Sequence, residues 1–161
     1  MYIPFDQLTH ASQIWIYQAN RTIAHHERKE LHEKTIAFLT TWTTHGAPLR
    51  SSGIILHDRF FILATEVYPR ITNCAVDTSI RFIQKIEQEF DISLLDRTRI
   101  MIKIDGQTHV IPISQVMTSI KEGTIGGDTL FFDNTITRKE ALTHRWLVPI
   151  KSTWLYNRFK T

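Results

Sequence analysis

With one cysteine in 161 residues, Cys74 has nothing to pair with inside the chain. That excludes an intramolecular disulfide and a cysteine-based zinc site, and it suits a reducing compartment. Glycine and proline are scarce as well, at six and five, too few for a linker-rich or disordered chain. A Walker-type loop wraps phosphate in backbone N–H groups between two glycines five apart, followed by Lys and Ser/Thr. No two glycines here have that spacing, so nucleotide hydrolysis by that mechanism is not expected. Gly123-Thr124-Ile125-Gly126-Gly127 reads as a helix stop and loop, since no lysine follows. His32-Glu33 opens like a zinc-protease motif, but position 36 is Ile36 rather than a second histidine. No metal or cofactor is expected.

Strong charge is missing too. Nineteen Lys and Arg against sixteen Asp and Glu leave a net charge of +3. The basic pairs Arg28-Lys29 and Arg138-Lys139 are each followed at once by glutamate. Nucleic-acid binders concentrate basic residues in a patch or stripe, so the pattern argues against nucleic acid. Long apolar runs are lacking: the longest uncharged stretches, 35–49 and 106–120, are rich in Thr, Ser or Gln, whereas a membrane span needs about 20 mostly apolar residues. The first ten residues have neither the basic start nor the apolar run of a secretion signal. The expectation is a soluble cytoplasmic protein with no membrane partner.

The residues present suit one core. The chain is 42% hydrophobic and 22% charged, with 22 Ile and 20 Thr, and β-branched side chains favour strands. A domain of this size buries roughly 70% of the surface its unfolded chain exposes. Residues 14–18 read as a strand and 27–44 as a helix ended by Gly46 and Pro48. Residues 53–57 and 59–67 read as a hairpin, 75–90 as a second helix with the stripe Val76, Ile80, Ile83, Ile86 and Phe90, and 98–104 as a strand with Ile100, Ile102 and Ile104 inward and Met101 outward. Asp105-Gly106 is the strongest turn signal and returns the chain through 107–112. Beyond it come a short helix capped by Ser114 and stopped at Gly123, a strand at 130–133, a capping box at Thr137–Glu140, and a tail with Trp146 and Trp154 that packs down. The order βαββαβ is that of a ferredoxin-like, split βαβ core. The expectation is therefore a single α+β domain over residues 1–161, with an extra hairpin strand, short helices and an edge strand.

Cys74 sits just before the second helix, where the helix dipole favours a thiolate. A catalytic reading makes it a nucleophile with His45 as base and Asp77 nearby. A structural reading buries it, with Asp77 as a helix cap and the thiol out of reach of alkylating reagents until the chain unfolds. The carboxylate of Asp77 would oppose a thiolate, which favours the structural reading. Trp15, Tyr17, Trp42, Trp146 and Trp154 are core aromatics by default; as a binding platform, Tyr17 and Phe61 would stack bases across the sheet.

The segments Trp15-Ile-Tyr-Gln-Ala-Asn-Arg21, Trp42-Thr-Thr-His-Gly46, Arg59-Phe-Phe-Ile-Leu-Ala64, Cys74-Ala-Val-Asp77, Ser79-Ile-Arg-Phe-Ile-Gln84, Leu95-Asp-Arg97 and Trp146-Leu-Val-Pro149 resemble, nearly end to end and in order, a family of small bacterial proteins of about this length. The family is known from Bacteroidetes and often labelled "ABC transporter ATPase". That label conflicts with the residues, which hold neither a Walker A loop nor the transporter signature. In the family the loop before the second helix is similar to Gly-Cys-Ser-Ile-Asp; here it reads Asn73-Cys74-Ala75-Val76-Asp77. The resemblance implies roles for Cys74 and Asp77, and points to Arg21, His45 and Arg97.

The leading reading is a small binding or interaction protein without ATPase activity, with Trp15, Tyr17, Arg21, Trp42 and Arg97 as binding residues. Its partner is an unidentified small molecule or protein, and an oligomer through a sheet edge is possible. The alternatives are a small-molecule enzyme using Cys74, Asp77 and His45, and RNA binding across the sheet.

Overall fold

The computed structural model of the chain describes residues 1–159. The α+β content is as expected, but the chain divides into two compact units. One holds residues 1–95 with Thr137–Glu140, and the other holds residues 96–136 and the chain from Ala141 onward.

The first unit contains β1 (Gln13–Gln18), α1 (His25–Thr41), β2 (Thr43–Thr44), β3 (Ala47–Pro48), β4 (Ser51–Leu56), β5 (Phe60–Thr65) and α2 (Asn73–Phe90). Its main sheet has the order β1-β5-β4 and is antiparallel throughout, with Ile62 of β5 opposite both Ile16 and Ile54. All six residues of β5 are buried, as befits a central strand covered on both faces. Phe61 and Leu63 share a core with Tyr17, Leu31, Trp42 and Ile83. Gly53 governs how closely α1 approaches: a Cβ there would lie 2.6 Å from Thr35 Cγ2. Thr35 is itself buried, its hydroxyl donating to the Leu31 carbonyl at 2.7 Å.

Gly46 does not cap α1, which ends at Thr41. His45 and Gly46 both have positive φ, 49° and 76°, and form the two-residue turn between β2 and β3, the conformation such hairpins require. The second helix begins where Thr72 Oγ1 accepts from the Ala75 N–H at 3.2 Å, so Thr72 and not Asp77 is the cap. Its buried residues are Ala75, Ser79, Ile83 and Ile86. Compared with the expected stripe the helix is rotated, with small Ala75 and Ser79 facing inward in place of Val76 and Ile80. Thr137–Glu140 does not form a capping box. It runs beside β1, with Ile14 N–H donating to the Thr137 carbonyl at 3.0 Å and Lys139 N–H to the Ser12 carbonyl at 2.9 Å.

The second unit contains β6 (Arg99–Ile104), β7 (Gln107–Pro112), α3 (Val116–Lys121), β8 (Leu130–Phe132), α4 (Ala141–His144), β9 (Leu147–Pro149) and α5 (Trp154–Phe159). The sheet order is β7-β6-β8-β9. Asp105 and Gly106, at φ 50° and 78°, make the expected turn. Because β6 is central, Met101 is buried together with Ile100 and Ile102, against the expected alternation. Ser114 lies within a 3-10 turn, Ile113–Gln115, and does not cap α3. Ile100, Ile102, Val116, Ile125, Phe131, Ile150 and Leu155 form this unit's core. The tail packs down through Trp146, which is buried and donates from Nε1 to Asn134 Oδ1 at 3.0 Å, but Trp154 is exposed rather than a core aromatic, its Nε1 donating to Asp133 Oδ1 at 3.3 Å.

The four strands expected of a ferredoxin-like core do not all join one sheet. A split βαβ sheet sets its third strand between its first two and antiparallel to both, as β5 lies between β1 and β4. The strand that would complete the sheet, β6, pairs instead with β7 and β8. The Asp105-Gly106 turn brings β7 against one edge of β6 at minimal loop-closure cost, and β8 takes the other. Among the described residues no helix is long and apolar enough to cross a membrane.

Candidate functional site

Backbone geometry brings two of the expected site segments together. Thr44, just before the β2–β3 turn, donates its hydroxyl to the Arg70 carbonyl at 3.0 Å and accepts from the Thr72 N–H at 3.1 Å. The His45 turn thus lies beside the start of α2, where Cys74 and Asp77 stand. Their side chains do not form a catalytic set. All three are exposed, and the hydrogen bond that a nucleophile makes to its base is not present. Burial of Cys74 is likewise overturned: the thiol is exposed in the first turn of α2, because the rotated helix turns Ala75 inward instead. Iodoacetamide is accordingly expected to label Cys74 completely in the folded protein, as read by intact mass without denaturant. Cys74→Ala should change stability by no more than about 0.5 kcal/mol, the usual surface value. Labelling that requires urea would refute this placement.

Arg21 is a structural clamp. Its guanidinium meets the Glu27 carboxylate through two bonds of 2.8 Å and donates from Nη2 to the Phe90 carbonyl at 2.6 Å. Glu27 also accepts the Ala24 N–H at 2.9 Å, closing the first turn of α1. The Arg21 bond pushes the Glu27 carboxyl down to about 2; partial burial opposes it and the Ala24 bond assists. Trp42 and Tyr17 are core residues at 2% and 3% exposure. Trp42 donates from Nε1 to the Ala75 carbonyl at 2.9 Å, and half-buried Trp15 packs edge-on against it at 6.1 Å. Phe61 is 2% exposed. The stacking platform needed for RNA binding across the sheet is covered. Arg97 is exposed on the second unit.

A different feature is assembled by α1 and α2, which pack antiparallel: Lys34 meets Glu89 at 2.8 Å, and Phe38 stacks on Phe82 with centroids 4.3 Å apart and planes 3° apart. The two rings, with Ala37 and Ile86, floor a groove of about 450 Å³ lined also by Lys34, Thr78, Arg81, Lys85 and Glu89. Three cations thus line it against one carboxylate. Glu89 is shared by Lys34 and Lys85. The Lys34 bond holds the Glu89 carboxyl below its usual value, and that bond in turn raises the Lys34 ammonium. Arg81 donates to Thr78 Oγ1 at 3.1 Å, and Thr78 Oγ1 donates to the Cys74 carbonyl at 2.9 Å. At 3.6 residues per turn Cys74, Thr78, Arg81 and Lys85 share one face of α2, so the thiol stands at the N-terminal end of the groove face.

Sequence reasoning missed this groove. Phe38 and Phe82 are only partly buried where they pack against the first unit's core. The available signal was Phe82 itself, an aromatic off the core stripe and flanked by Arg81 and Lys85. Among the described residues no group of three or more His, Cys, Asp or Glu converges as a metal site would. Comparison with protein-family models, curated proteins and solved structures finds no match for this chain.

Proposed function

We propose that this chain is a small binding protein whose α1–α2 groove takes a ligand with an apolar body and an anionic head, such as a medium-chain carboxylate. The observation that carries this reading is the stacked Phe38–Phe82 pair, half-buried on the floor of a groove rimmed by Lys34, Arg81 and Lys85. Ligand pockets typically span about 300–1,000 Å³ and are mostly apolar with a few placed polar groups, and the groove fits that description. The aromatic floor would bury the ligand's chain. Arg81, which faces no carboxylate partner, and Lys85 would receive the head group. The exposed thiol of Cys74 lacks a base, so the enzyme alternative has less support than simple binding.

Isothermal titration with decanoate and with decylamine, both below their micelle concentrations, tests this reading. Decanoate should bind saturably and decylamine should not. Phe82→Ala should weaken decanoate by about tenfold through lost apolar contact, and Arg81→Glu combined with Lys85→Glu should abolish it. Equal binding of the amine, or unchanged binding in the Phe82 variant, would reject the groove as the site.

A further inference from the structure

The second unit has a depression lined by Arg97, Arg99 and Arg158. Where β6 begins and β7 ends, the Ile113 N–H donates to the Thr98 carbonyl at 2.8 Å, and Arg99 stands opposite Pro112. The two chain segments are thereby fixed side by side. Together with α5 they line a depression of about 590 Å³, whose walls are Arg97, Thr98, Arg99, Pro112, Ile113, Ser114 and Arg158. The nearest acid in the sequence, Asp96, accepts the Thr98 hydroxyl at 2.6 Å and the Thr98 N–H at 2.8 Å on Oδ1 and keeps its charge; these bonds, and after them the charge of Arg99, hold its carboxyl below the usual value.

Arg21, Arg28, Lys34, Lys85 and Lys151 each meet a carboxylate. Arg97 and Arg99, two residues apart, make no direct ion pair among the described residues and line one concave surface, in a chain whose net charge is only +3. Concave placement of like charges concentrates positive potential more than a flat surface does. The guanidinium forks offer more donors in fixed planes than one carboxylate accepts, and they match a terminal phosphate, which presents three oxygens. The Ser114 hydroxyl adds a donor, and Pro112 and Ile113 give an apolar wall for the rest of a molecule.

We infer that this depression binds a terminal phosphate, carried by a small phosphorylated or pyrophosphorylated molecule and held by Arg97 and Arg99 with Ser114. The site is separate from the α1–α2 groove and does not depend on it.

The test is titration of the full chain with inorganic pyrophosphate in phosphate-free buffer at about 0.15 M salt, where attraction beyond roughly 8 Å is screened. One saturable site is expected. Arg97→Lys combined with Arg99→Lys keeps the net charge and removes the forks, and should weaken binding by about tenfold or more. Arg145→Lys, exposed elsewhere in the second unit, should leave it unchanged. Both altered arginines are exposed, so the double variant should keep its melting temperature, which is measured alongside. Sedimentation with phosphatidic acid vesicles separates the possible sources of the phosphate. Pyrophosphate binding without sedimentation assigns a soluble ligand, while sedimentation lost in the double-lysine variant assigns a lipid headgroup. The inference fails if neither probe binds, or if the double-lysine variant binds as well as the parent. It also fails if a single-stranded RNA, whose phosphates are internal diesters, displaces pyrophosphate.

Discussion

Trp42→Ala is expected to lower the unfolding free energy by about 4 kcal/mol, within the range for large aromatic deletions from cores. The indole is 2% exposed. It touches both sides of the first unit, with Trp15 at 6.1 Å and Phe38 at 5.2 Å, and its Nε1–H holds the Ala75 carbonyl in the first turn of α2. Removing it leaves a cavity among elements pinned by other contacts. Trp42→Phe restores most of the apolar volume but not the donor, and should cost only about 1–2 kcal/mol. Urea unfolding followed by circular dichroism measures both. A loss below about 1.5 kcal/mol for the alanine variant would mean the site collapses freely and Trp42 is not the anchor described. Because Phe38 leans on Trp42 at one side and stacks on Phe82 at the other, Trp42→Ala should also weaken decanoate in the groove.

The second large effect belongs to Arg21. Arg21→Ala removes a two-pronged ion pair and the bond to Phe90 O, and should cost about 2–3 kcal/mol, as charge-assisted bonds of this kind do. The figure is kept below what the carboxyl shift alone would give because the Arg21 side chain is 36% exposed and partly screened. The sign of the pH dependence is fixed by the direction of the shift. Glu27 in the folded chain titrates at about 2, below its ordinary 4.5. Its contribution is fully present above pH 4.5 and is lost as the pH falls through about 2. The difference in stability between parent and Arg21→Ala should accordingly be constant near neutrality and shrink between pH 4.5 and 2. Arg21→Lys should recover only part of the loss, since an ammonium lacks the planar fork. A difference that stays flat down to pH 2 would show that the clamp does not rest on the Glu27 charge.

The main elements could be read from the sequence because their signals are local. The Asp105-Gly106 turn, the β4–β5 hairpin and the two long helices each follow from neighbouring residues. What could not be read was the partner of each sheet edge. Nothing near residues 99–104 says that β6 will accept β8 and leave β1 alone, because that choice is made by residues far along the chain. The rotation of α2 was hidden for a related reason. Val76 and Ile80 are the more apolar pair, yet Ala75 and Ser79 face inward, and only close packing against a sheet favours the smaller residues. That one rotation decides the exposure of Cys74 and brings Phe82 to the groove floor where it meets Phe38. Arg21 carried a clear signal of importance, but a guanidinium that clamps helix ends and one that awaits a ligand look alike in sequence. Arg97 takes its meaning from Arg99, which no local pattern marks, and from Ser114, which reads in the sequence as a helix cap.

The return of Thr137–Glu140 to the side of β1 has a consequence for biosynthesis. The N–H of Ile14 and the carbonyl of Ser12 are satisfied by residues that leave the ribosome only after the whole of residues 96–136 has been made. At roughly 5–20 residues per second, the first unit waits on the order of a few seconds for its last segment while the intervening stretch emerges. During that interval the β1 edge is open to any other nascent or finished chain that offers a strand.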